Sequence, residues 1–178
     1  LVLAVNVTRI YKGSQLGIAL LLFMCSVTLW QMDIGVLYLK GIIPEEWILN
    51  LFRFFRIGTT GVVPVIFYLI YLLLNKHTPN IKNKTGYNFF QSFFKLKIFW
   101  GLVVWSVGIY AINWTKWGIE GLRVVQIADP NTSLYFPDYG DYHFLYLLHT
   151  GTVLLLLIIV VIICRGIQNA SLKAFLRT

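Results

Sequence analysis

Polar and apolar positions alternate here at neither strand nor helix spacing; the polar residues are swept into a few short stretches between long uncharged runs. The runs Gly13 to Met32, Ile57 to Asn75, Ile98 to Thr115 and Tyr142 to Cys164 carry no Asp, Glu, Lys or Arg. Each has about the length a helix needs to cross roughly 30 Å of hydrocarbon at about 1.5 Å per residue. Extended to the nearest polar boundaries, they predict helices over 13–39, 47–75, 96–114 and 142–164. The opening "LVLAVNV" is too short to span alone and has no initiator Met, so it predicts the end of a further helix over about 1–7 and a chain that is a fragment. A cleaved secretory signal is the rival reading, but no basic segment precedes this stretch and no small-residue cleavage pattern follows it. The predicted fold is all-α: a polytopic transmembrane helix bundle with four complete crossings and the end of a fifth.

Composition agrees with that pattern. Of 178 residues 58% are apolar and 12% charged, far from the balance of a water-soluble domain. Charge then adds direction. Asp33, Glu45, Glu46, Glu120, Asp129, Asp138 and Asp141 all fall in the 32–47 and 113–142 connections. The alternate segments carry only bases: Arg9 and Lys12, then Lys76, Lys82, Lys84, Lys95 and Lys97, then Arg165, Lys173 and Arg177. A Lys/Arg bias of this kind predicts a cell-membrane protein with the basic connections, including the 76–95 loop, on the cytoplasmic side. The net charge of +8 is thereby explained by topology and by attraction to anionic lipid. Bases spread over three short connections do not form a nucleic-acid surface. Cys25 and Cys164 lie inside predicted helices without metal or redox spacing, and the sequence implies no metal and no cofactor.

The 115–141 connection is too short to hold its own core and is predicted to fold as an outer cap over the helix ends. Trp114, Trp117, Tyr135, Tyr139 and Tyr142 stand where aromatic rings favour the headgroup level and are read as interface anchors.

Arg53 and Arg56 are the sharpest departure from the apolar pattern, because "WILNLFRFFRIG" puts them roughly 9 and 13 Å into a membrane helix. A charge at that depth is costly and faces a partner or a wet cavity. Two readings stand side by side. One is structural, with the arginines snorkelling or paired with Asp33 at the end of the preceding helix. The other is a ligand site in which Arg53 and Arg56, with Asp33, Asp138, Asp141 and the intramembrane His149, hold a small-molecule, peptide or protein signal. His149 reads equally as a polar residue satisfied by a neighbouring helix. Gly58, Gly61 and Pro64 in "GTTGVVP" form a candidate hinge, since proline removes one helical hydrogen bond. No phosphate-binding loop, zinc spacing, nucleophile elbow or carboxylate pair is present, so no catalytic residue is assigned.

Four stretches in order resemble a known family: a basic turn before "LGIALLLFMCSVTLW", a short connection, "FFRIGTTGVVPVIFYLIYLLL", and "FPDYGDYHFLYLLHTGTVLLLLIIVVIICRGIQNAS". Together they resemble the seven-transmembrane N-terminal sensor region of bacterial histidine kinases, also found ahead of cyclic-dinucleotide synthases. The resemblance implies a two-component signal transduction module working as a homodimer in the lipid bilayer. It also implies that the output domain lies outside this chain and that "NASLKAFLRT" turns into a sixth helix. It supplies no ligand residues, so the arginine site rests on physical argument alone. The alternative function is an integral-membrane subunit of a redox or transport complex, with His149 or the arginines serving a cofactor or ion.

Overall fold

The computed structural model describes residue 6 and residues 14–76, 90–126 and 133–175, with side chains to Arg165 apart from that of Lys76. The partial helix expected over 1–7 thus lies, Asn6 apart, outside the described residues, as does most of the 76–95 loop.

Helix α1 (Gln15–Val36) starts where Ser14 caps it, its Oγ accepting from the Gly17 amide at 3.2 Å. A single 3₁₀ turn over Leu37–Leu39 closes it, and Gly41 at φ 79° supplies the left-handed residue that reverses the chain. Pro44 and the acids Glu45 and Glu46 open α2 (Glu45–Phe55), with both carboxylates in the first turn where the helix dipole favours them. Helix α3 (Ile57–Lys76) continues the same direction of chain, so the single helix expected over 47–75 is two segments joined at Arg56. That joint still hydrogen-bonds: the Arg56 amide reaches the Phe52 carbonyl at 3.3 Å, and the Thr60 amide reaches the Arg56 carbonyl at 3.1 Å. Helices α4 (Leu96–Asn113) and α5 (His143–Phe175) complete the bundle. The backbone of "NASLKAF" continues α5 to Phe175, where a turn into a further helix was expected.

Among the described residues four helices, with α2 and α3 counted as one span, are long and apolar enough to cross a membrane, and this is a multi-pass membrane protein. Helix α3 stands at the centre, packed on α1, α4 and α5. Its core of Val62, Val63, Ile66, Phe67, Ile70 and Leu74 meets Phe94 and the α5 residues Val153, Leu156 and Ile163. The outward faces of α4 and α5 are apolar, as with Trp100, Val104, Leu154 and Leu155, which suits contact with lipid. Gly58 makes the closest helix approach possible. A Cβ there would stand 2.5 Å from the Ser26 carbonyl oxygen and the Trp30 amide nitrogen of α1.

The connection between α4 and α5 corrects the all-α expectation. It contains an antiparallel hairpin, β1 (Ile119–Gln126) and β2 (Ser133–Tyr139), paired from Ile119↔Tyr139 to Gln126↔Ser133 with an irregularity between Ile119 and Gly121. The run "LRVVQ" opposite "SLYF" is β-branched and aromatic enough to form strands, but its brevity hid it beside runs of membrane-helix length. The hairpin is fastened at both ends. At its base the Gly140 amide reaches the Gly118 carbonyl and the Tyr142 amide reaches the Trp117 carbonyl, and a Cβ on Gly140 would collide with the Lys116 carbonyl. Towards its tip Lys40 donates to Ser133 Oγ, and the Tyr135 hydroxyl donates to Glu45 at 3.2 Å. Packing of Ile119, Leu122 and Tyr135 against Val36, Leu37, Ile48 and Phe52 seals the hairpin onto α1 and α2.

Candidate functional site

The joint between α2 and α3 sits directly under the hairpin, and Arg56 occupies it. The residue is 3% exposed. One terminal nitrogen donates to Asn113 Oδ1 at the end of α4 at 3.1 Å, and the other donates to the Tyr139 hydroxyl at the end of β2 at 3.2 Å. The guanidinium carbon lies 4.0 Å from the Tyr146 ring centre, 4.8 Å from that of Phe52 and 5.2 Å from that of Tyr139. Three aromatic faces and two neutral acceptors thus stabilise a charge removed from water. The Tyr139 ring also stacks on His143 at 3.6 Å, so one tyrosine ties the hairpin to Arg56 and to the first turn of α5.

A cleft of about 560 Å³ opens beside this cluster. Trp30 and Asp33 of α1, Phe52 and Arg56 of the joint, and Tyr146 of α5 form its helical side. The hairpin contributes Val125, Leu134, Phe136 and Tyr139 as the opposite wall. Asp33 is 3% exposed. Its Oδ2 accepts from Thr59 Oγ at 3.5 Å, while its Oδ1 has no partner. The expected Asp33–arginine ion pair does not form; the charge pair among the described residues is Arg123 with Asp138 at 3.3 Å.

The residues expected at one site are therefore divided. Asp33 and Arg56 share the cleft. Arg53, three residues earlier, donates instead to the Ile119 carbonyl at 2.6 Å, where it holds the start of β1 onto α2. Asp138 is drawn to Arg123 across the hairpin, and Asp141 is exposed in the turn before α5 and does not line the cleft. Neither placement was legible beforehand, because it depends on strand register.

His149 has a different task, and Pro64 explains it. Proline carries no amide hydrogen, so the carbonyl four residues earlier, that of Thr60, lacks its helical donor. His149 Nε2 lies 2.9 Å from that carbonyl oxygen and 3.4 Å from Ser106 Oγ. A carbonyl can only accept, so Nε2 carries the hydrogen and replaces the missing amide. One imidazole thereby joins α5 to α3 and α4. Gly58 and Gly61 face Ser26 of α1, and all three residues of the candidate hinge lie within the continuous helix α3, after the joint at Arg56.

Among the expected anchors, Trp114, Trp117 and Tyr142 are exposed at the hairpin end, and Trp117 meets Tyr142 edge to face at 5.8 Å. Tyr135 and Tyr139 are in addition joined to Glu45 and Arg56. Burial pushes the Tyr139 phenol up from its ordinary pKa, against the opposing pull of Arg56, so it remains a hydroxyl. Hydropathy and charge did not single out Asn113, Tyr146, Phe52 or Trp30. Asn113 alone had a signal, as a polar residue closing an apolar run.

No protein-family model matches the chain, and no curated protein or solved structure is significantly similar to it.

Proposed function

We propose that this chain is the membrane-embedded sensing module of a signalling protein, with the cleft between the hairpin and α1 as its input site. The observation that carries this reading is the position of Arg56. It is at once a wall of the cleft, the joint of the central span and the hydrogen-bonded link to α4 and the hairpin. A molecule seated between the hairpin and α1 that favours one placement of Tyr139 favours one arrangement of that joint, and α3 carries the difference along the bundle core. Two packings separated by a small gap suffice for a switch, since a ligand need only bind one better than the other.

The charge pattern supports placing the hairpin and cleft outside the cell, with the basic connections inside. The sequence resemblance to sensor histidine kinases supports a cytoplasmic kinase as the output and a homodimer as the working unit.

A cross-link tests the reading. In the full-length protein with Cys25 and Cys164 replaced by serine, Tyr38→Cys and Val125→Cys would stand on opposite walls of the cleft. Joining them with a short bis-maleimide is expected to change autophosphorylation severalfold, whereas capping each with a mono-maleimide leaves it near the starting rate. An unchanged rate after complete cross-linking overturns the reading.

A further inference from the structure

The cleft leaves one buried acceptor open. A carboxylate can accept about four hydrogen bonds, yet the one side-chain donor to Asp33 is Thr59, at the 3.5 Å limit on Oδ2, with Oδ1 unpartnered and the residue 3% exposed. Burying a carboxylate so thinly satisfied is costly unless a donor arrives from elsewhere. Among the described residues none reaches Oδ1: the Thr59 hydroxyl is on Oδ2, the terminal nitrogens of Arg56 are committed to Asn113 and Tyr139, and its Nε makes no hydrogen bond to Asp33.

Charge then decides what kind of donor. Asp33 and Arg56 line the same cleft and balance each other without touching. An added cation would face Arg56 and an added anion would face Asp33, both in surroundings that screen poorly. The rest of the lining, including Trp30, Ile34, Leu37 and Phe136, is apolar or aromatic. We infer that the cleft binds an uncharged, largely apolar molecule whose hydroxyl or amide N–H donates to Asp33 Oδ1. The cleft volume of about 560 Å³ is within the usual range for small-molecule sites. This inference rests on the input site proposed above and adds the chemistry of what enters it. A neutral lipid with a free hydroxyl and a soluble amphiphile share that chemistry.

The test uses the full-length protein in phosphatidylglycerol nanodiscs with a diazirine-bearing octanol as probe. Photolysis is expected to place adducts on Trp30, Tyr38 or Phe136. At equal membrane concentration, octan-1-ol should displace the probe about tenfold better than 1-methoxyoctane, the effect of one net hydrogen bond. Octylammonium and octanoate should also displace it less well than octan-1-ol. Asp33→Leu removes that one hydrogen bond and should weaken cleft labelling by the same roughly tenfold. Should that variant not fold, Val125→Trp, at a partly exposed position on the hairpin wall, should block the cleft and remove the same adducts.

Adding diacylglycerol to the nanodisc separates the two sources: loss of labelling assigns the ligand to the bilayer, and retained labelling assigns it to a soluble amphiphile. Adducts spread over lipid-facing residues such as Leu154 and Leu155 without enrichment in the cleft would overturn the inference. So would equal displacement by the ether, undiminished labelling in the Asp33→Leu protein, or labelling that persists in the Val125→Trp protein. Labelling reads binding alone, so a probe that binds without changing kinase output would sink the sensing reading and leave this one standing.

Discussion

The two ends of the long central span are built on opposite principles. Towards its far end, α3 buries Val62, Val63, Ile66, Phe67, Ile70 and Leu74 against apolar neighbours, and Phe67 meets Phe94 with ring centres 4.6 Å apart. At the hairpin end the same span buries Arg56, Thr59 and Thr60, beside Asp33, Asn113, Ser106 and His149 from other helices. The far end needs only complementary volume, since apolar side chains are as comfortable in lipid as in protein. The hairpin end needs particular partners, because each polar group there must find a donor or acceptor. Where the partners are complete, as at Thr60, the structure is locked; where they are incomplete, as at Asp33, something is left to bind.

The strongest attack on this contrast is at the contact both ends depend on. Gly58→Val should force α1 away from Ser26 and Trp30 backbone atoms and cost about 3 kcal/mol or more, read as loss of folded protein on titration with a denaturing detergent. Near wild-type stability would mean that α1 does not pack as described.

Next comes the choice between volume and partners. Arg56→Met keeps much of the volume but removes both hydrogen bonds, and should destabilise by about 2–3 kcal/mol. Phe67→Leu at the far end changes volume alone and should cost about 1 kcal/mol. A reversed order in detergent unfolding would break the contrast.

A subtler test takes the proline and histidine together. His149→Ala strands the Thr60 carbonyl and should cost about 1–2 kcal/mol. Pro64→Ala restores a backbone donor to that carbonyl, so the double variant should recover about 1 kcal/mol relative to additivity. Strict additivity in the double-mutant cycle would show that the imidazole is not standing in for the missing amide.

The smallest effect belongs to the surface. Arg123 and Asp138 are 60% and 44% exposed, so Arg123→Ala should change stability by less than about 0.5 kcal/mol. A larger loss would show that the hairpin's own charges, and not its fastening to Lys40, Glu45 and Arg53, hold it in place.

Much of the framework was legible because hydrocarbon is an unforgiving solvent. An uncharged run of sufficient length can satisfy its backbone there only as a helix, and the predicted spans agree with the observed ones to within a few residues at most ends. The hairpin was hidden because strand pairing between Gln126 and Ser133 or Arg123 and Phe136 is a relation between two segments, which hydropathy does not encode.

The same division runs through the site. Sequence alone determined that Arg53, Arg56 and His149 are out of place in an apolar span and must be answered by something, since solvation costs belong to residue type and depth. Only the tertiary structure decided the answers. Arg53 found a carbonyl, Arg56 three rings and two oxygens, and His149 the acceptor that Pro64 had left open. Asp33 found one side-chain hydroxyl on Oδ2 and none on Oδ1. The physical reason is range: desolvation is felt residue by residue, but a hydrogen bond exists only between atoms about 3 Å apart, and packing alone brings them there.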